Sequence, residues 1–160
     1  MRKIFLFSLI LGSIFYFLGS NFAAADTLGQ NVIFNIDSQY ENSGRSQVQA
    51  TLRKISDKAY WYISDDYWNG FSEGERSFFS GELDKLASEF DIRIYPTEVS
   101  FWGPEWNPGI DNDPRITVLL TRLIPQAGGY YDTVHQYEKS RAPGSNQREM
   151  VFINTSGVLN

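Results

Sequence analysis

The chain has 160 residues, 16% of them aromatic, and no cysteine. Its 19 acidic residues outnumber 14 basic ones, for a formal charge of −5. With no basic cluster that balance argues against nucleic acid as a partner, and the missing thiols exclude a disulfide framework, a lipid-attachment cysteine and a thiolate metal site.

Met1-Arg2-Lys3 is a short positive start, Ile4 to Leu18 a nearly unbroken apolar run, and Ala23-Ala24-Ala25 a set of small residues. Together they read as a secretory signal peptide over residues 1–25, cleaved between Ala25 and Asp26. The run is shorter than the about 20 residues a bilayer span needs, so membrane contact is expected only through an uncleaved signal. Cleavage removes Arg2 and Lys3, and 14 less these 2 basic residues against 19 acids leaves about −7 for the mature part. The expected location is secreted or cell envelope. Residues 26–160 suffice for one domain, held by its core or by bound ions.

Val32 to Ile36 reads as a first strand, followed by a loop marked by Asn42-Ser43-Gly44. Val48, Ala50 and Leu52 alternate with polar residues as in a half-buried strand. Ser56-Asp57-Lys58 is turn chemistry before the β-prone run Ala59 to Ile63, so the two strands predict a hairpin. Ser72 to Phe90 is the clearest helix. Ser72 and Glu75 form a capping box, and Phe79, Leu83, Leu86 and Phe90 share one face. Pro96 is expected to open a second short helix through Trp102, with Gly103 as its stop. A Pro/Gly/Asp/Asn-rich loop over Trp106 to Pro114 leads into a strand at Ile116 to Leu120. Gly128-Gly129-Tyr130-Tyr131, a polar loop through Asn146 and a last strand at Met150 to Ile153 complete the order. The pattern predicts an α+β fold, a small mixed sheet with a hairpin and one main packed helix. No helix follows to cover the second sheet face. A bare face is therefore expected, with the domain over 26–160 incomplete at its carboxyl end.

His135 is the only histidine. Its context is not His-Glu-x-x-His, and a zinc site of that type needs two histidines one turn apart plus a third ligand. Read alone, it is a solvated loop histidine. No Gly-x-Ser-x-Gly elbow and no phosphate-binding glycine loop is present. Asp111-Asn112-Asp113 is the densest oxygen cluster and fits either a calcium ion on Asp111 and Asp113 or an Asx-rich turn. Asp65-Asp66 and Glu98/Glu105 are conceivable acid pairs for glycoside hydrolysis, a mechanism that depends on a spacing in space. The aromatic groups Tyr60-Trp61-Tyr62 and Tyr67-Trp68 fit a core or, where exposed, a sugar- or peptide-stacking surface. Asn154-Thr155-Ser156 matches the glycosylation tripeptide of eukaryotic secretion.

Several stretches resemble one family. Ala50-Thr51-Leu52-Arg53 with Ala59 to Ile63, then Leu86 to Asp91 with Ile94-Tyr95-Pro96, are similar to secreted bacterial zinc metallopeptidases of the hyicolysin-like group. Gly103-Pro104-Glu105, followed by Gly109-Ile110-Asp111-Asn112-Asp113-Pro114-Arg115-Ile116, resembles that group's Gly-x-Glu … Gly-Ile-Asp-x-Asp-x-Arg-Ile segment. Ala127 to Tyr130 and Ser145 to Met150 are similar as well, so the likeness spans about Val48 to Asn154. It implies the amino-terminal sheet subdomain of a zincin, ending before the His-Glu-x-x-His helix. No catalytic residue carries over. Zinc is implied for a full-length protein, none for this chain, and the implied partner is a peptide or protein substrate. The resemblance also implies a sheet edge that pairs with the substrate backbone. Ile116 to Thr121 or Gly128, Gly129, Tyr130 and Tyr131 would supply it. The other reading of the residues is a complete, non-catalytic secreted module that binds glycan or peptide.

Amino-terminal sequencing of the exported protein is expected to begin at Asp26. A mature chain still starting at Met1 would sink the signal reading.

Overall fold

The computed structural model describes residues 25–156, so the signal-type segment over residues 1–24 lies outside the described residues. The strands are β1 (Asn31–Asn35), β2 (Gln47–Ile55), β3 (Ala59–Ser64), β4 (Ile116–Thr121), β5 (Gly129–Tyr131) and β6 (Met150–Asn154). They form one mixed sheet in the order β1-β2-β3-β4-β6-β5. β1, β2 and β3 are antiparallel neighbours, β3-β4 and β4-β6 are parallel, and β5 returns antiparallel to β6. The class is α+β, as the pattern predicts. No described helix is long and apolar enough to cross a membrane.

The hairpin forms as expected, with a bulge between Leu52 and Lys54. Its turn is clamped from a distance by Asp91, whose carboxylate accepts from Asp57 N at 2.8 Å, Lys58 N at 3.1 Å and Ser56 Oγ at 3.0 Å. After a short helix α1 (Asp65–Trp68), α2 (Glu73–Glu89) begins at the expected capping box. Glu75 Oε2 accepts from Ser72 N at 2.7 Å, and Ser72 Oγ accepts from Glu75 N. Its buried stripe is Phe79, Leu83 and Ala87, whereas Leu86 is part exposed.

Pro96 does not open a separate helix. A π-helical turn, Phe90–Ile94, joins α2 directly to α3 (Tyr95–Trp102), giving one helical arm of 30 residues. Proline has no N–H to donate and its ring crowds the preceding turn, and a widened turn just before it accommodates both. Gly103 ends the arm as expected, with φ +87°, a conformation that costs glycine little.

Both sheet faces are buried, which corrects the expectation of a bare one. Ala59, Trp61, Ile63, Val118 and Leu120 pack under α1 and α2. Phe34, Val48, Leu52, Tyr62, Leu119, Met150 and Phe152 form a second cluster on the opposite face, where loops take the place of a helix. The loops stay down through polar side chains. Arg148 lies with its guanidinium 5.7 Å from the Phe34 ring and 5.8 Å from the Tyr62 ring, and it is ion-paired to Asp26. Tyr62 also donates its hydroxyl proton to Asp26, at 2.8 Å. Asn146 pairs with the backbone of Asn35 like a strand residue, donating at 2.9 Å and accepting at 2.8 Å. Glu41, 2% exposed, accepts from Ser43 N, Arg45 N and the Arg45 guanidinium.

Burial works against the Asp26 carboxylate, but the Arg148 guanidinium, the Tyr62 hydroxyl and the Gln30 amide outweigh it and hold its pKa below the usual range. The Asp26→Asn variant is expected to lose about 3 kcal/mol of stability in denaturant titrations, because it leaves Arg148 buried without its partner. Since the folded pKa is the lower one, the stabilising effect is full above an unfolded pKa of about 3.9 and fades as pH falls through the folded value. A variant as stable as the parent at neutral pH would show that Asp26 holds nothing.

Candidate functional site

The topology settles which of the two candidate strands is the sheet edge. Ile116 to Thr121 is β4, enclosed by β3 and β6, whereas Gly129–Tyr131 is β5, paired on one side only. Asn154 N donates to Gly128 O at 2.9 Å, and the register continues as Gly129 opposite Ile153 and Tyr131 opposite Val151. In an antiparallel ladder the bonded and non-bonded pairs alternate. Positions 128 and 130 therefore bond inward to β6, and the N–H and C=O groups of Gly129 and Tyr131 face the free edge. Neither N–H finds a loop partner among the described residues. Gly129 is also required for packing, since a Cβ there would fall 2.7 Å from Phe152 O. Tyr130 points to the opposite face, stacked between Tyr40 and Phe152.

Beside this edge a cleft of about 530 Å³ opens between the end of the helical arm and the sheet. Tyr95, Glu98 and Trp102 come from α3, Glu105 and Trp106 from the loop after it, and Tyr131, Glu149 and Val151 from the sheet side. Trp102 is 78% exposed and Trp106 59%. Glu98 and Glu105, singled out as a conceivable pair, do share this cleft. Tyr95 donates its hydroxyl proton to Glu105 at 2.6 Å, and burial together with that carboxylate pushes the phenol up to about 12.

Glu149 borders the cleft, with its carboxylate packed against Gly109. It is 4% exposed, its Oε1 accepts from Ile110 N at 3.2 Å, and its Oε2 has no hydrogen-bond partner. Gly109, at φ +78°, makes room for it, because a Cβ there would sit 1.8 Å from Oε2. Burial raises the Glu149 pKa, and the charges of Asp111 and Glu105 add to the rise.

The Asp111-Asn112-Asp113 segment takes the form of an Asx turn. Asp111 accepts from Asp113 N at 3.1 Å, and Asp113 accepts from Arg115 N at 3.0 Å and from Tyr60 Oη at 2.5 Å. Arg115 Nη1 lies a further 3.5 Å from Asp113. Among the described residues no group of three or more His, Asp or Glu converges to hold an ion. Asp65 and Asp66 are likewise engaged, the first by Thr51 and Asn31 and the second by Arg45.

His135 is not solvated. It is 3% exposed, its Nδ1 accepts from Asn146 N at 3.2 Å, and its carbonyl accepts from Arg148 N and Ser145 Oγ. Burial lowers its pKa, so the neutral ring is a brace for the 132–149 loop. The aromatic strand is core too: Tyr60, Trp61 and Tyr62 are all buried, whereas Phe78, Phe101, Trp102, Trp106 and Tyr131 are among the exposed rings. Asn154 donates to the carbonyls of Ala127 at 2.7 Å and Ile124 at 3.1 Å and accepts from Leu123 N, so its amide is occupied in the fold and a glycan there would displace those bonds.

Pattern reading missed Trp102, Trp106 and Glu149 as site residues. The signal available for the two tryptophans is their place beside Gly103, Pro104 and Pro108, where a large ring has no periodic face to enter. For Glu149 no local signal exists. Compared with known proteins, the chain matches no family model and no curated protein.

Glu149→Gln is expected to gain stability relative to the parent as pH rises. A raised folded pKa gives a contribution present below the unfolded value of about 4.3 and lost as pH climbs through the folded one, and glutamine does not titrate. Denaturant titrations from pH 4 to 8 check this; a pH-independent difference would mean that no charge is buried there.

Proposed function

We propose that this chain is the exported, substrate-backbone-binding portion of a zinc-dependent peptidase, inactive on its own. The observation that supports the reading is the free edge of β5 beside an aromatic cleft, where an extended peptide gains backbone bonds to Gly129 and Tyr131 and side-chain contacts next to Tyr131. The family resemblance over Val48 to Asn154 supplies the peptidase part of the proposal. The residues present do not fit a zinc ion: the single histidine is buried with Nδ1 already accepting a bond, and Asp111 and Asp113 are engaged in their own turn. Hydrolysis therefore requires ligands that this chain does not supply, and no catalytic step is assigned to its residues. Export follows from the residue 1–25 pattern, in keeping with a cysteine-free chain whose stability rests on its own core.

The exposed Trp102 and Trp106 also suit the second reading, a non-catalytic module for glycan or peptide. Trp61 has no part in it, being buried beneath the helices.

Two experiments test the proposal. An extended peptide is expected to bind the chain and to lose that binding when alternate amides in one register are N-methylated, while methylation in the other register is tolerated. Indifference to both registers would rule out strand addition. The coding sequence beyond the Asn160 codon is expected to carry an open frame with His-Glu-x-x-His, and a protein made from it to cleave peptides only with zinc. A stop codon at that point would remove the peptidase and leave the binding module.

A further inference from the structure

The pairing of β5 with β6 fixes which face of the free edge meets the cleft. Val151 stands opposite Tyr131 and Ile153 opposite Gly129, and directly opposed residues share a sheet face. Val151 packs against the cluster under the helices, so Gly129 and Tyr131 lie on that helical side as well. The helical layer stops short of them. Tyr131 is 51% exposed and Ile153 36%, and the cleft opens where the arm ends. The two residues whose backbone groups are free at the edge therefore stand on an uncovered, apolar part of the sheet.

What the cleft offers a guest is chiefly ring and hydrocarbon. Val99 and Trp102 from the arm, Trp106 from the loop, and Tyr131 and Val151 from the sheet line it. Several of its polar groups are engaged within the chain. Tyr95 donates to Glu105, and the Glu149 carboxylate is packed against Gly109 with Oε1 accepting from Ile110 N. Two largely exposed indoles on one side and a half-exposed tyrosine on the other leave apolar surface in water that a fitting guest removes.

We propose that this cleft is the subsite for a large apolar side chain, of the Phe or Leu kind, on the peptide paired to β5. The assignment to a peptide rests on the proposed function above, whereas the apolar preference rests on the cleft. Side chains alternate along an extended backbone, so the peptide residue opposite Tyr131 directs its side chain to the cleft. The residue opposite Gly129 places its side chain on the same face, beside Ile153. The residue between them points to the other face, where Tyr130 packs against the second cluster. The preferred segment reads apolar-x-apolar, with the larger side chain at the Tyr131 position. A short side chain there leaves the indoles uncovered, and a carboxylate would be stripped of water among rings.

Isothermal calorimetry on the full chain tests this with four probes: blocked β-prone pentapeptides with a central Phe, Ala or Lys, and toluene alone. The Phe peptide is expected to bind at least about tenfold tighter than the Ala peptide, tighter than the Lys peptide, and with the more negative heat-capacity change that apolar burial brings. W102A combined with W106A, both at exposed positions, is expected to cut the Phe preference to less than about twofold and to leave the Ala peptide bound as before. Equal affinities of the Phe and Ala peptides, a preference for Lys, or a Phe preference that survives the double variant overturns the apolar subsite and leaves strand addition intact. Toluene binding that the double variant abolishes, with no peptide bound, upholds the apolar pocket and refutes the peptide reading. Binding of none of the probes overturns both.

Discussion

The Asp26 carboxylate holds the Arg148 guanidinium and the Tyr62 hydroxyl at once, and much of the second sheet face depends on that grip. A sheet with two apolar faces needs two covering layers, and the helical arm supplies one. The other layer is made of loops, which carry backbone polar groups that must be satisfied as they cross an apolar surface. Here the satisfaction comes from side chains: Asp26 on Arg148, Glu41 on the turn at Ser43 and Arg45, Asn146 on β1, and His135 on Asn146. Each is a buried or half-buried polar group held by hydrogen bonds to the loops it braces. The loop layer thus behaves as part of the core.

Charged groups divide into two kinds. Asp26 and Glu41 are stabilised by their surroundings and keep pKa values below normal, despite burial. Glu149 keeps one carboxylate oxygen without a partner, and burial moves its pKa and that of Asp111 upward. The first kind sits beneath the loops. Of the second, Glu149 borders the cleft. This separation distinguishes acids that their surroundings favour from acids that burial disfavours, and an inspection of composition cannot make it, because all four are ordinary carboxylates in a chain with 19 acidic residues.

Much of the scaffold was legible because it obeys local rules. Alternation in Val48, Ala50 and Leu52, the capping box at Ser72 and Glu75, and the unbroken run at Ile116 to Leu120 each encode an element within a few residues, and those elements are present. Pro96 shows where a local rule stops: the proline lies one turn inside a continuous arm because the preceding π turn absorbs its steric demand. The cleft was harder to read. Its acids come from positions 98, 105 and 149, joined only by the order β4-β6-β5, and no periodicity links them. The density of Tyr60-Trp61-Tyr62 fits a core or a surface alike, and it is the crossover that buries both sides of β3.

The grip of Asp26 has a practical side for anyone handling the molecule. Under the proposed cleavage between Ala25 and Asp26, the residue that anchors the loop layer would also be the first residue of the chain that remains. Trimming such a chain by one residue, for example by an aminopeptidase during storage, would remove the anchor and spare nearly all of the mass. Preparations of uniform size could then differ in firmness, and a tag for purification belongs at the other end.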